Sequence, residues 1–420
     1  MQLTREGFWY LIIWLVLFFL GLQQQINLIL LTVGLAVGPI VGSVFVSASM
    51  LWKLRATRRA PHYVFAGETL TLDYTLINDR RWTAALAMTL NDAIAPVDRT
   101  VSGSSETSPR IFFPRVPGRE RLRLRWQGDA PKRGRYRFGV MELATRSPFG
   151  LLERRLAIDE PGSFLVYPSV GKLSRRWQIK QREASETRRG QRHDRSSQQL
   201  EYHGLREYRP GDSPRWIHWR TTARLGKPMV KEFEQQQEQD MTILLDPWLP
   251  RTKVDPARRE TLESAIRFVA TLCTETCKHQ GRRILLGLTG ATPTIRQGPA
   301  SIKLLHELLE QLVVLRPSSE GHLSSLFDSI PTSVLRDSLI IIVATRPVNL
   351  IEESERSARL SGVKGRGLAG RVVILDASRG DLDDLIEFDR PPTELIAADG
   401  PAENFDDGSS LILANMEVAT

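Results

Sequence analysis

Cysteine is scarce: Cys273 and Cys277 are the only two in 420 residues. They stand four apart in a helical pattern, which makes them neighbours on one helix face but strains a disulfide between them. Two thiols with no second ligand pair do not make a zinc site. Core packing in a reducing compartment is the expected role. The motifs of nucleotide chemistry are also missing. No Gly-x-x-x-x-Gly-Lys-Ser/Thr occurs, so the phosphate cradle of a nucleotide hydrolase is absent. "GVKGRGLAG" (Gly362 to Gly370) contains Gly-x-Gly, but it precedes a strand pattern instead of linking strand to helix. His218 is the one candidate general base in the motif-rich part of the chain, and no nucleophile motif accompanies it. No DNA- or RNA-reading motif is present. The chain is therefore expected to be no enzyme, to need no cofactor and to read no specific nucleic acid.

Charge is missing from two early runs, Phe8 to Leu22 and Leu28 to Trp52. At a rise of about 1.5 Å per residue the second run spans a bilayer core of about 30 Å, and the first does so with help from its flanks. A cleaved signal peptide would need a small-residue cleavage site, which "GLQQQINL" does not supply. Two spans with a tiny connecting loop are expected. Arg5 precedes the first, while Lys53, Arg55, Arg58 and Arg59 follow the second. The positive-inside tendency then puts both flanks and the remaining chain in the cytoplasm, as a multi-pass protein of the inner (plasma) membrane.

What charge there is falls unevenly. From Lys172 to Lys231 sixteen Lys/Arg stand against six Asp/Glu, a balance of +10. From Asp376 to the end twelve acidic residues stand against two arginines, a balance of −10. Attraction between the two segments, competition by an acidic partner, and two merely solvated stretches all fit this pattern.

The chain divides into a transmembrane hairpin (1–59), a β-sandwich (60–168), a basic linker with a dense motif (169–239) and an α/β region (240–420). In the sandwich region "TLTLDYTLIN" (Thr69 to Asn78) and "RLRLRW" (Arg121 to Trp126) alternate with period two. "GRYRFGVMELAT" and "FLVYP" add strands, and Gly/Pro/Asn/Asp turns separate them. Strands of this length and spacing suggest an immunoglobulin-like β-sandwich. "SPFGL" (Ser147 to Leu151) reads as a turn. Lys180 to Gln199 is polar and nearly free of apolar residues, which reads as a flexible linker or an exposed loop.

"GLREYRPGDSPRWIHWRTTARLGKPMVKEFEQ" (Gly204 to Gln235) is the densest stretch, with five arginines and two tryptophans. It reads as a strand, the turn "RPGD", a helix through "PRWIHWRTTAR" with Pro214 at its first position and Gly226 at its stop, and a further strand. Trp216, Trp219, Arg220 and Ala223 would share one side. One reading puts both tryptophans and Ile217 in the core, with the arginines paired to Glu207, Asp212, Glu232 or Glu234. Two further readings stay open. Arg206, Arg209, Asp212, Arg215, His218, Trp219, Arg220 and Lys231 form a recognition ledge for carboxylates, phosphates or an acidic protein surface, or they fasten the sandwich to the α/β domain.

"GLREYRPGD", "R-IHWR-TAR-GK" and "VKEFE" resemble the signature of the membrane-associated family known as domain of unknown function 58. The twin spans, "SPFGL" and the α/β end are similar too. The resemblance implies a von Willebrand factor A-like C-terminal domain and work beside MoxR-type AAA+ ATPases and other envelope proteins. It implies no reaction. After Asp240 the alternation of buried strands ("MTILLD", "RRILLGLTG", "SLIIIVATRP", "RVVILDAS") with helices suggests a doubly wound, mainly parallel sheet. Von Willebrand A domains often hold a divalent metal through Asp-x-Ser-x-Ser. Here Asp246 is followed by Trp248 and Pro250, and Arg346 stands where an acidic ligand is wanted, so no metal is expected. The expected function is a membrane-anchored, non-catalytic adaptor. A polyanion binder, for lipid headgroups or nucleic acid through residues 172–231, is the alternative.

Overall fold

The computed structural model describes residues 2–24, 27–98, 107–192, 201–209, 212–234, 240–250, 255–279, 281–349, 352–353, 356–357, 372–382 and 384–387. The Gly362 to Gly370 element and most of the acidic C-terminal stretch lie outside them. β1 (Gln2–Leu3) leads into α1 (Arg5–Gln24), and α2 (Asn27–Leu51) runs back along it. Both helices are long and apolar enough to cross a membrane, with mean hydropathy of 1.6 and 2.3. Leu31, Leu35 and Phe45 face outward. Tyr10 Oη donates to the Ala36 carbonyl (2.8 Å) and Trp14 Nε1 to the Val33 carbonyl (3.0 Å). The polar tips of both aromatics are thus satisfied inside the hairpin, without water.

The hairpin is fastened to the body at the start of α1 and along the end of α2. β1 pairs with a body strand through Gln2–Glu153 and Leu3–Leu152. The Thr4 hydroxyl lies 2.6 and 2.9 Å from the Gly150 and Leu151 carbonyls. Arg80, itself buried, donates to the Ser49 carbonyl (2.9 Å) in the last turn of α2. A guanidinium there satisfies an orphan carbonyl and complements the negative helix end.

Eleven strands follow: β2 (Leu54–Arg59), β3 (Tyr63–Phe65), β4 (Thr69–Asn78), β5 (Ala85–Asn91), β6 (Ile94–Pro96), β7 (Arg110–Val116), β8 (Arg121–Asp129), β9 (Gly134–Phe138), β10 (Met141–Thr145), β11 (Leu152–Ile158) and β12 (Ser163–Tyr167). They form sheets of order β1-β11-β10-β5-β7, β3-β12-β9-β6 and β2-β4-β8. The alternation in β4 sends Leu70, Leu72, Tyr74 and Leu76 into one core with Met88, Phe113, Tyr136 and Phe164. Met50 and Leu51, at the end of α2, join the same core. On the other face of β8, Arg123 and Arg125 both pair with Asp73 of β4. Inside, Arg58 Nη1 meets Asp92 Oδ2 at 2.8 Å, and the Tyr74 hydroxyl donates to the same oxygen at 2.7 Å. The segment Gly134 to Thr145 divides between two sheets. Its break falls at Gly139, whose amide donates to the Ala93 carbonyl.

After the short β13 (Lys172–Leu173) comes α3 (Arg175–Arg192). This corrects the flexible-linker reading up to Arg192; residues 193–200 lie outside the described set. Gln, Arg, Lys, Glu and Ala are good helix formers, so a scarcity of apolar residues did not mean a scarcity of structure. Buried Trp177 ties the helix down, edge-on to Phe268 with ring centroids 5.3 Å apart. β14 (Glu201–Glu207), α4 (Trp219–Leu225) and β15 (Met229–Glu234) form the next unit.

The α/β part comprises β16 (Met241–Asp246), α5 (Pro256–Cys277), β17 (Arg283–Leu288), β18 (Thr294–Pro299), α6 (Ile302–Val314), α7 (Leu323–Ser329), α8 (Thr332–Asp337), β19 (Leu339–Ala344), β20 (Val372–Asp376) and β21 (Ile386–Glu387), the last paired with β13. Its sheet has the order β18-β17-β16-β19-β20, parallel except for the edge strand β18. Successive residues of β16 face opposite sides. Ile243 and Leu245 pack with residues of α5 and α6, and Leu244 packs with residues of α7 and α8. Burial on both faces explains why these strands are continuous apolar runs. Cys273 and Cys277 are free thiols buried on α5, and burial pushes the Cys277 thiol up to about 11.

The joint between the β-rich body and the α/β part was invisible in the sequence. Arg133, in the turn before β9, is buried. It makes a two-pronged contact with Glu263 of α5 (2.7 and 2.9 Å) and donates through Nη1 to the Leu312, Val313 and Leu315 carbonyls at the end of α6. Tyr63 stacks on Tyr167 at 5.1 Å and lies 4.9 Å from the His306 ring of α6. Phe65 and Tyr167 belong to the same apolar cluster as α5 and α6.

Candidate functional site

The dense motif folds as a hairpin closed on itself. β14 and β15 are antiparallel, with Leu205 opposite Lys231 and Glu207 opposite Met229. One carboxylate ties Arg206, Arg209 and Asp212 together. Asp212 accepts Nη1 and Nη2 of Arg206 at 2.7 Å each and the Arg209 amide at 2.8 Å. The Arg206 bond, followed by that from the Arg209 amide, holds the Asp212 carboxyl below its ordinary value. Asp212 is therefore committed to Arg206 and the Arg209 amide and caps no helix.

The single helix expected across Pro214 to Arg224 is two pieces. A 3₁₀ turn spans Pro214–Trp216, and α4 begins at Trp219. Between them the chain is extended. Ile217 bridges to Val230, and the His218 amide donates to the Met229 carbonyl (2.8 Å). Backbone pairing with β15 wins over helix continuation because each extended residue here gains a strand partner. His218 then serves as the N-cap of α4. Its Nδ1 accepts from the Thr221 amide (3.3 Å) and lies 2.8 Å from the Thr221 hydroxyl. Gly226 ends α4 in the left-handed region at φ 68°, as the sequence suggests. The Thr222 hydroxyl accepts the Met229 amide, stitching helix to strand.

Of the candidate residues, Arg206 and Asp212 are thus committed to each other, and His218 to the helix start. Arg209, Arg215, Trp219 and Arg220 lie exposed; Trp219 is 67% accessible and Trp216 45%. The break at Ile217–His218 replaces the shared helix side drawn through Trp216, Trp219 and Arg220. Lys231 lies on β15, and its side chain is outside the described set. Exposed guanidiniums suit carboxylate or phosphate groups. The hydrogen bonds named here all close within the hairpin, whereas the domain joint is built by Arg133, Glu263 and the Tyr63–Tyr167–His306 group.

A second constellation sits at the carboxyl ends of β16 and β19. Asp246 is buried; its Oδ1 accepts the Thr289 hydroxyl (2.5 Å) and its Oδ2 accepts Arg346 Nε (2.9 Å). Arg346 also donates to the Gly321 carbonyl (2.9 Å), and its guanidinium carbon lies 5.5 Å from the centroid of the Trp248 ring. The Thr345 hydroxyl donates to the Trp248 carbonyl (2.6 Å). Burial raises the Asp246 carboxyl above its ordinary value, against the opposing pull of Thr289 and Arg346. Both carboxylate oxygens are engaged, and the cation beside them is the chain's own. Among the described residues no cluster of three His, Cys, Asp or Glu side chains is arranged to hold a metal.

Residues 204–378 match a family model described as "Protein of unknown function DUF58". A Bacillus subtilis (strain 168) protein named "Uncharacterized protein YeaD" is 23% identical over 164 residues, which is 38% of this chain and 39% of that protein. The chain thus spans well under half the length of that relative. Among solved structures, the CARDB domain of the PF1109 protein from Pyrococcus furiosus aligns with 25% of this chain and 90% of its own (10% identity, TM-score 0.17). The sporulation control protein Spo0M from Bacillus subtilis aligns with 38% of this chain and 58% of its own (10% identity, TM-score 0.18). Scores this low carry no argument.

Proposed function

We propose that the chain is a membrane-anchored, non-catalytic adaptor that presents the Gly204–Glu234 hairpin to a MoxR-type AAA+ ATPase from the cytoplasmic face. In this reading α1 and α2 span the membrane, the β-rich body is an immunoglobulin-like sandwich and the α/β part is von Willebrand factor A-like. The strand order, with β16 (the first strand of this sheet in sequence) central and antiparallel β18 at one edge, supports the last assignment. The observation that carries the proposal is the exposure of Trp219 and Arg220 on a hairpin whose shape is already held by Arg206–Asp212 and the His218 cap. Aromatic and arginine side chains on a rigid support are what protein interfaces use as anchors.

The test is quantitative mass spectrometry of complexes purified from native membranes, comparing wild type with Trp219→Ala/Arg220→Ala. Both side chains are exposed, so the variant is expected to unfold within about 0.5 kcal/mol of wild type. A MoxR-type ATPase retained by wild type and lost from the folded variant supports the adaptor. Retention by both places binding elsewhere. If instead the variant loses anionic vesicles or nucleic acid in a steeply salt-dependent manner, the hairpin binds polyanions.

A further inference from the structure

The turn Ser147–Leu151 was singled out in the sequence, and the adaptor reading leaves it without a task. Its position along the hairpin assigns one. The Thr4 hydroxyl holds the Gly150 and Leu151 carbonyls, and Gly7 passes so close that an added Cβ would lie 2.1 Å from the Leu151 oxygen. On the other helix, a Cβ at Gly42 would lie 3.5 Å from Phe149 Cε2. The turn therefore lies against both helices, at the level of Gly7 and Gly42. Phe149 is nonetheless 57% exposed.

That level can be measured against a bilayer. From Gly42 down to Asn27 the helix is about 22 Å long, and from Gly7 down to Gln24 about 25 Å. The hydrocarbon core is about 30 Å thick. Helices ending at the turn would fall short by several ångströms, so the hydrocarbon boundary lies at or above the turn. Phe45, almost a helical turn further along α2, is 72% exposed and apolar, which agrees. Beyond it α2 changes character: Ser47, Met50 and Leu51 are buried against the body.

We infer that the Ser147–Leu151 turn is a membrane-interface anchor, with Phe149 inserted at the boundary between lipid carbonyls and chains beside Gly42. The occupant of its exposed face is lipid, because the face is continuous with the apolar surface of α1 and α2. Thr4 and Gly7 lock the turn to the hairpin, so the anchor fixes how the whole body tilts on the membrane. The inference rests on the reading of α1 and α2 as spans.

The test uses the full chain in phosphatidylcholine/phosphatidylglycerol vesicles. An environment-sensitive fluorophore is attached in separate variants, Phe149→Cys, Leu35→Cys and Val140→Cys, all at exposed positions. The native thiols are buried, and labelled wild type gives the background. The inference expects the label at 149 to lose most of its emission to nitroxide placed on the lipid chains near the carbonyls and little to aqueous iodide. The label at 35 should be quenched by nitroxide deep in the chains, and the label at 140 by iodide. Deep quenching at 35 with iodide quenching at 149 overturns the anchor and leaves the spans standing. Iodide quenching at both 35 and 149 overturns the spans and the anchor together.

Discussion

Arg133 and Glu263 meet through two parallel hydrogen bonds of 2.7 and 2.9 Å, one residue from the β-rich body and the other from α5 of the α/β part. The same guanidinium closes the C-terminal end of α6. One side chain thus neutralises a carboxylate, satisfies helix carbonyls and sets how the two parts sit.

Arg133→Ala is expected to destabilise the protein by about 3 kcal/mol, because it strands a partly buried carboxylate and unpaired helix carbonyls. Its particular mark is decoupling. Calorimetry in detergent should show the body and the α/β part unfolding in separate transitions. Arg133→Lys should restore only part of the loss, since an ammonium cannot make the planar two-pronged contact.

Arg346→Ala leaves Asp246 buried without its cation, at an expected cost of about 3 kcal/mol near neutral pH. The pH dependence has a definite sign. Burial already raises the Asp246 carboxyl above 3.8 in the folded state, so the native protein holds the proton more tightly than the unfolded chain does. Stability from this group is full below that unfolded value and declines as pH rises through the raised one. Removing Arg346 raises the folded value further and extends the decline to higher pH. Urea midpoints measured from weakly acidic to neutral pH should show it. Adding Asp246→Asn to the same variant should flatten the curve.

Gly7→Ala places a methyl group 2.1 Å from the Leu151 carbonyl oxygen. Backbone must move to admit it, at an expected cost of about 2 kcal/mol. The loss should fall on the β1–β11 pairing, visible as faster amide exchange at Thr4, whose amide donates to Leu151.

Asp212→Asn keeps the size of the side chain but removes its charge and one of its two acceptor oxygens. The Arg206 bond lowers the folded Asp212 carboxyl below 3.8, so its contribution is present above that value and is lost as pH falls through the lowered one. Amide exchange at Arg209 should quicken in the variant at neutral pH, and in wild type only under acid.

Period-two alternation located β4 to the residue, and continuous apolar runs located β16 and β19, because burial on one face or two leaves a direct imprint on the sequence. Polar helices leave none, which is why α3 looked like a linker until Trp177 was seen docked on Phe268. The stop of α4 was readable from Gly226. The break at Ile217–His218 was not, since local helix propensity cannot reveal the pull of β15 across the hairpin. Arg133 had no local signature at all; its partners lie more than a hundred residues away. Arg346 did stand out, as a cation where an anion was expected, and the structure turns that oddity into a bond with Asp246.

That bond has a consequence for control. A metal can leave a site, so loops gathered around one can respond to the ionic composition of the cell. A guanidinium on Arg346, two residues beyond β19, is part of the chain and cannot leave. The loops carrying Trp248 and Gly321 are therefore joined through a charge that belongs to the chain itself.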